Sequence, residues 1–228
     1  MTGRSKLQKC MAIPAPGEYG CAKERKYMTE KNLLMLFVRN PELGKVKTRL
    51  AASVGPETAL DIYLHLLRHT RDITQHLPLD KVVYYSEKVE QNDLWPAQHY
   101  HKKLQYPEGD LGEKMKKAFE AAFAEGYTSV VIIGSDCPQL TSEIINQAFE
   151  ELKTHEVVIG PALDGGYYLL GMKRLYRDFF QDKRWSTEHV FPDTIADIER
   201  LHLSHTLLPY LSDVDELEDL QENWPELG

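Results

Sequence analysis

The sequence predicts a single α/β domain, a three-layer sandwich with a mostly parallel but mixed sheet and helices on both faces. Three observations carry this. Short apolar runs rich in β-branched residues recur along the chain, bounded by Gly, Pro and Asn. Segments with helical apolar spacing alternate with them, which is the pattern of parallel βαβ units. The chain has 228 residues, 42% apolar and 27% charged, enough for one full core and unlike a disordered composition.

The elements follow in order. Residues 1–31 lack periodicity and carry Pro14, Pro16, Gly17 and Gly20, so a flexible extension is expected there, with the domain spanning 32–228. The first strand is 33–38, an unbroken apolar run that ends in the turn signals Asn40-Pro41 and Gly44. A helix opens at Gly55-Pro56-Glu57, with Pro56 suited to its first turn; Leu60, Tyr63, Leu64, Leu67 and Ile73 share a face, and Pro78 ends it. A strand follows at 81–86, then an irregular stretch with a short strand near 98–101. The helix at 111–124 has Met115, Ala118, Phe119 and Ala122 on one face. The run 129–134 is the most β-like and is expected to be a central parallel strand. Thr141 is the expected N-cap of the next helix. Strands at 156–159 and 166–172 lie too close together for a helical crossover, so the second is expected to be antiparallel. Helices at 175–180 and 187–200, the latter broken at Pro192, precede a strand at 205–208 and an acidic helix at 213–222.

The formal net charge of -8 argues against a nucleic-acid partner or a membrane surface, both of which reward a basic face. No apolar run approaches the roughly 18 residues that span a membrane. Cys10, Cys21 and Cys137 are odd in number and widely spaced, which fits a reducing, cytoplasmic location.

Against this acidic background the segment after the first strand stands out. Arg39, Lys45, Lys47 and Arg49 fall close together with Glu42 as the one intervening acid. Cations at the carboxyl end of a buried strand suit a di- or triphosphate, and Gly44 lets the backbone approach it. A Walker A loop is excluded, because the position of its first Gly is Arg39 and Val46 follows Lys45. Asp136, in Gly134-Ser135-Asp136-Cys137-Pro138, lies at the end of the strongest strand. There it reads either as a ligand for a hard divalent cation or as a turn aspartate. Asp164-Gly165 is equally a hairpin turn and a second carboxylate. Gly165, Gly166, Tyr167 and Trp185 are candidates for an acceptor pocket. Gly112 opens a helix whose first-turn amides suit an anion, although a plain helix start is the preferred reading. Asp213 and Asp215 either add carboxylates to a metal site or start the acidic helix, and the second reading is preferred for at least one of them.

The segments KVKTRL, DLGEKM, IGSDCPQLT, VVIGPALDGGYYLLG, WST and LSDVDELEDL together resemble the bacterial family of glycosyltransferase-A-like proteins known as rSAM/selenodomain-associated transferase 1, over about residues 33–222. More distantly the chain is similar to molybdenum-cofactor and phospholactate guanylyltransferases. The resemblance implies a Rossmann-like nucleotide-diphospho-sugar transferase fold, a nucleotide or nucleotide-sugar donor, and Mg²⁺ or Mn²⁺. Carried over, it sets Lys45, Lys47 and Arg49 on the donor's phosphates and Asp136 on the metal; Arg39, Gly44, Thr48 and Gly134 join the phosphate-binding candidates from their place beside these residues. Asp164 would be a second metal ligand or the acceptor base. The Gly-rich signature of the nucleotidyltransferases after strand one is replaced here by residues 39–44.

The expected activity is metal-dependent transfer from a nucleotide-activated donor to a small-molecule acceptor, glycosyltransferase-like. A guanylyltransferase-like nucleotidyl transfer and a non-catalytic nucleotide-binding module are the alternatives. A homodimer is compatible with the chain.

Overall fold

The structure, a computed structural model, describes residues 30–224, so the expected extension at 1–31 lies almost wholly outside the described residues. Lys31 is already tied to the domain: its N–H donates to Thr128 Oγ1 at 2.9 Å. The elements are β1 (Asn32–Val38), α1 (Thr48–Val54), α2 (Pro56–Thr74), β2 (Asp80–Tyr85), β3 (His101–Leu104), α3 (Leu111–Ala124), β4 (Ser129–Ile133), α4 (Ser142–Glu151), β5 (Val157–Pro161), β6 (Tyr167–Met172), α5 (Val190–Arg200), β7 (His205–Leu207) and α6 (Leu217–Asn223). A short 3₁₀ turn covers Arg177–Phe180.

The strands form one sheet in the order β3-β2-β1-β4-β6-β5-β7. All neighbours are parallel except β6, which is antiparallel to both β4 and β5. The hairpin expected at 164–172 is therefore present, and the sheet is mixed. Strand alternation divides the core in two. Leu34, Leu36 and Val38 pack on one face against α2, α4 and α6. Leu33 and Met35 pack on the other against α3, α5 and the 3₁₀ turn. Three layers result, with every residue of β4 and β5 buried.

Several boundaries differ from expectation. The basic segment does not run as a loop to Arg49: Thr48 and Arg49 begin α1, a two-turn helix that buries Leu50. The helix expected at 175–180 is only a 3₁₀ turn of four residues. The break expected at Pro192 is absent, because α5 starts at Val190 and Pro192 sits in its first turn, where no intrahelical N–H is required. The final helix starts at Leu217 rather than at 213, capped reciprocally by Glu216 and Asp219. Residues 213–215 are left outside any helix.

After β1 the chain runs to β2 and β3 on one side, then returns to lay β4 on the other side of β1. The gap between the carboxyl ends of β1 and β4 is thus a topological switch point, where open α/β sheets bind their ligands.

Candidate functional site

A cleft of about 790 Å³ opens at that switch point. At its centre is Lys47. Its ammonium donates to Asp136 Oδ2 at 3.0 Å and to Asp215 Oδ1 at 2.8 Å. The lysine side chain is 5% exposed, whereas the two carboxylates are 40% and 45% exposed, so the cation is enclosed and the anions face the cleft. Lys47 reaches this position from a left-handed backbone conformation (φ 45°) just before α1. A non-glycine residue pays about 1 kcal/mol for that conformation, and the two ion pairs hold it there.

Three tethers align the parts. Tyr63 of α2, 3% exposed, bridges β1 and β4. Its hydroxyl accepts from the Arg39 N–H at 2.9 Å, donates to the Arg39 carbonyl at 3.1 Å and lies 3.3 Å from Ser135 Oγ. The Val214 N–H donates to the Asp136 carbonyl at 2.9 Å, which brings the 213–215 segment alongside β4. On the far wall Asn40, 4% exposed, joins the loops after β1 and β2. Its Nδ2 donates to the Lys88 carbonyl at 2.9 Å, and its Oδ1 accepts from the N–H groups of Glu87 (3.0 Å) and Lys88 (3.3 Å).

Charge organises the centre. Burial by itself would lower Lys47, but Asp136 and Asp215 outweigh it and hold the ammonium above the ordinary lysine range. Burial would raise Asp136, yet the charge and hydrogen bond of Lys47, helped by backbone N–H groups, hold it below the usual carboxylate range. Asp213 goes the other way. Burial, then the negative charge of Asp136, push it well above that range, and its Oδ1 is buried without a hydrogen-bond partner among the described residues.

The residues singled out in the sequence divide into two groups. Arg39, Lys45, Lys47, Thr48, Arg49, Gly134 and Asp136 all line the cleft. Lys45 is neutralised by Glu42 (2.7 Å) and Glu87 (3.3 Å), and Arg49 lies 3.8 Å from Asp215. Arg39 makes no ion pair among the described residues and is exposed, so its guanidinium is free for a ligand. Gly44 (φ 74°) shapes the turn outside the lining. Gly134 is held close to its neighbour, since a Cβ there would lie 2.8 Å from Asp136 Oδ1.

The second group lies elsewhere. Asp164, Gly165, Gly166, Tyr167 and Trp185 are not among the lining residues. Asp164 is exposed and accepts from the Gly166 N–H at 2.8 Å, the turn role of an Asp-Gly hairpin. Gly165 abuts the backbone of Glu188, where a Cβ would come within 2.3 Å of its carbonyl oxygen. The Tyr167 hydroxyl is buried without a partner among the described residues. Trp185 covers Gly112 and stacks on Phe180 at 6.5 Å, leaving its neighbour Ser186 to line the cleft. Asp164 is outside the cleft lining, but its negative charge is among those that raise Asp213. Residues that sequence reasoning passed over complete the wall: Asn40, Tyr63, Gln105 and Lys114. Asn40 and Gln105 look in sequence like ordinary loop polars; only pairing across loops reveals them.

These features define the class as the nucleotide-diphospho-sugar transferase fold: a seven-stranded mixed sheet with one antiparallel strand, and a cation-lined cleft at its β1/β4 switch point. Within it, the chain belongs to the bacterial family described as "Uncharacterized protein conserved in bacteria (DUF2064)", which matches residues 69–187. A Desulfovibrio desulfuricans G20 protein assigned as a nucleotide-diphospho-sugar transferase is 34% identical over 85% of this chain and 86% of that one, with a TM-score of 0.77. A cytidylyltransferase from Leptospira borgpetersenii serovar Hardjo-bovis strain JB197 shares the fold at 15% identity, over 85% of this chain and 84% of that one (TM-score 0.53). So does the 4-diphosphocytidyl-2C-methyl-D-erythritol synthase of Anaerococcus prevotii DSM 20548, at 8% identity over 87% and 96% of the chains (TM-score 0.55). No curated protein matches the chain. No helix among the described residues is long and apolar enough to cross a membrane.

Proposed function

We propose that this chain is a metal-dependent transferase that uses a nucleotide-activated donor, moving a glycosyl group to a small-molecule acceptor. The observation that carries the reading is the enclosed Lys47 between two cleft-facing carboxylates, Asp136 and Asp215, at the switch point of the sheet. The 34% identical relative assigned as a nucleotide-diphospho-sugar transferase supports it.

The donor set suits Mg²⁺ or Mn²⁺. Among the described residues no three His, Cys, Asp or Glu side chains converge as a complete metal cluster. Mg²⁺, however, is commonly held by one or two carboxylates together with substrate phosphates. Asp136 and Asp215 offer two, and the unpartnered Asp213 Oδ1 lies in the same electrostatic group. When bound, the cation would supply positive charge to the leaving phosphate. The chain's own residues do the rest. Arg39 and Arg49 hold phosphate oxygens in bidentate fashion. Lys47 sets the position of both carboxylates and adds its charge where negative charge develops. In glycosyl transfer the acceptor oxygen bonds to the sugar's anomeric carbon, the bond from that carbon to phosphate oxygen breaks, a nucleoside diphosphate leaves, and the acceptor hydroxyl's proton passes to the departing phosphate.

The clustering of cations between the end of β1 and the first turn of α1 also favours a second reading, nucleotidyl transfer. There an acceptor phosphate attacks the donor's α-phosphorus and pyrophosphate leaves, a group that needs several positive charges at once. Phosphorus NMR of turnover mixtures separates the two, since one releases nucleoside diphosphate and the other pyrophosphate. The test begins with a thermal-shift and turnover screen of nucleoside di- and triphosphates and nucleotide sugars, with and without Mg²⁺ or Mn²⁺. Metal-dependent stabilisation by a donor, and turnover reduced by about 10²-fold or more in Asp136→Asn, are expected. Binding without product over a broad acceptor panel would identify a non-catalytic nucleotide module. Failure of every nucleotide to bind at millimolar levels would overturn the reading.

A further inference from the structure

The cleft has two chemically different ends. Lys47, Arg49 and Asp136 make the charged end, at the tips of β1 and β4. The other end lies over the tips of β1 and β2 and is walled by the side chains of Phe37, Gln105 and Leu111, the last 43% exposed. It has apolar surface for a flat ring and, besides Asn40, whose amide is fully used by the Glu87 and Lys88 backbone, a second polar side chain whose orientation is fixed.

That side chain is Gln105. It directly follows β3, and its backbone N–H donates to the Tyr85 carbonyl at 2.9 Å, anchoring it beside β2. Its Nε2 donates to the Tyr84 carbonyl at 3.1 Å and to the Val38 carbonyl at 3.2 Å. Both amide hydrogens are therefore committed to backbone oxygens. Turning the amide over would set its oxygen against two carbonyl oxygens, so the assignment of N and O is settled by the partners. The remaining atom, Oε1, has no hydrogen-bond partner among the described residues and is not among the buried unpartnered atoms. A glutamine that could ordinarily donate or accept is thus made a pure acceptor. The polar neighbours do not change that sign. Ser86 Oγ is committed to Asn40, accepting from its N–H at 3.1 Å and donating to its Oδ1 at 3.4 Å, and Glu87 adds a carboxylate. Lys114, the cation nearest in sequence that lines the cleft, is a long, freely rotating point charge without a fixed edge to read.

We propose that Gln105 reads the donor's base and selects a nucleobase bearing an exocyclic amino group: cytosine, adenine or guanine. This rests on the nucleotide-donor reading above and deepens it. An amino hydrogen completes the open acceptor. Where the amino group is replaced, by the carbonyl oxygen of uracil against cytosine or of hypoxanthine against adenine, or by the C2 hydrogen of hypoxanthine against guanine, Oε1 meets an oxygen or is left open. Sites built to hydrogen-bond a particular group reject the analogue lacking it more strongly than apolar pockets do. The spacing agrees. Adjacent strands are about 4.8 Å apart, so the β1/β2 tip and the tip of β4 are roughly 5–10 Å apart, the reach from a base to its phosphates.

The experiment measures Kd by calorimetry on the whole protein with Mg²⁺ for three pairs: CTP against UTP and ATP against ITP, in which a carbonyl oxygen replaces the amino group and the adjoining ring nitrogen gains a proton, and GTP against ITP, in which hydrogen replaces it. At least one amino member is expected to bind about tenfold or more tightly than its partner. In Gln105→Met, which keeps the length and removes the acceptor, that ratio is expected to fall to about one. Equal affinities within every pair would overturn the assignment, as would a preference that survives in Gln105→Met. The comparison of pairs on the native protein stands even if the variant fails to fold. If tripolyphosphate binds with Mg²⁺ but no nucleotide binds more tightly, base reading fails while the phosphate site stands. If neither binds, the nucleotide reading fails with it.

Discussion

Lys47, Asp136 and Asp213 lie in one electrostatic group and titrate in different directions, and this gives the site a signature in stability. Asp136 has a lowered folded-state pKa, so its contribution is present above the unfolded value near 3.8 and is lost as the pH falls through the folded value. Lys47 has a raised one; its contribution is complete below about 10.5 and is lost as the pH rises through the folded value. Asp213 is raised and is a carboxylic acid, so the sign reverses. As the pH climbs past 3.8 the unfolded chain releases this proton first, and stability declines until the folded group releases its own. Asp213→Asn should therefore stabilise the free protein by about 1 kcal/mol at pH 8, or roughly 2–4 °C in Tm, with the gain vanishing towards pH 4. Scanning calorimetry across that range checks it; a loss of stability at pH 8 would mean the carboxylate is favourably paired. Lys47→Met should lower donor affinity by tenfold or more, read by calorimetry, because it removes the enclosed cation and leaves Asp136 and Asp215 facing each other.

Among elements, α3 and the segment that packs over its start bear most directly on the cleft. Asp110 caps α3, accepting from the Glu113 N–H at 2.9 Å, and Gly112 lets Trp185 lie on the helix. A Cβ at Gly112 would sit 2.2 Å from the Trp185 ring, so Gly112→Ala should cost about 1–3 kcal/mol in urea unfolding as the ring is displaced. An unchanged midpoint would show that the tryptophan moves freely. The loops after β1 and β2 depend on Asn40 in the same way. Asn40→Ala leaves the Glu87 and Lys88 N–H groups and the Lys88 carbonyl without this partner, and should cost about 2–3 kcal/mol while weakening nucleotide binding. Chemical denaturation beside calorimetry tests both halves.

For the whole molecule, ligand binding and folding are linked. A donor at about 100 times its Kd adds roughly 2.7 kcal/mol to the native state, some 5–10 °C in Tm for a domain of this size. With metal as part of the site, chelation should abolish that increment yet leave the free protein's Tm unchanged, because Lys47 already supplies positive charge between Asp136 and Asp215. A fall in the free protein's Tm on chelation would instead point to a structural metal. The fold that transmits this linkage is a single sheet buried between two layers, with the site along the carboxyl ends of its parallel strands.

Local sequence determined the periodic elements and the cations. The buried strands at 33–38 and 129–134 and the helix at 111–124 were legible because each is set by its own apolar pattern, and the 164–172 hairpin because five residues cannot make a helical crossover. Arg39, Lys47, Arg49 and Asp136 were legible because charge beside a buried strand end has few other uses. Tertiary structure alone decided which of them meet. Lys47 and Asp215 are separated by 168 positions and Lys47 and Asp136 by 89, and no local pattern encodes those contacts. It also set Asp164 outside the cleft lining, where its Oδ1 closes the Asp-Gly turn. And it fixed the Gln105 amide: in sequence it could donate or accept, and only the carbonyls of Val38 and Tyr84, brought together by the pairing of β1 with β2, decide which end it presents.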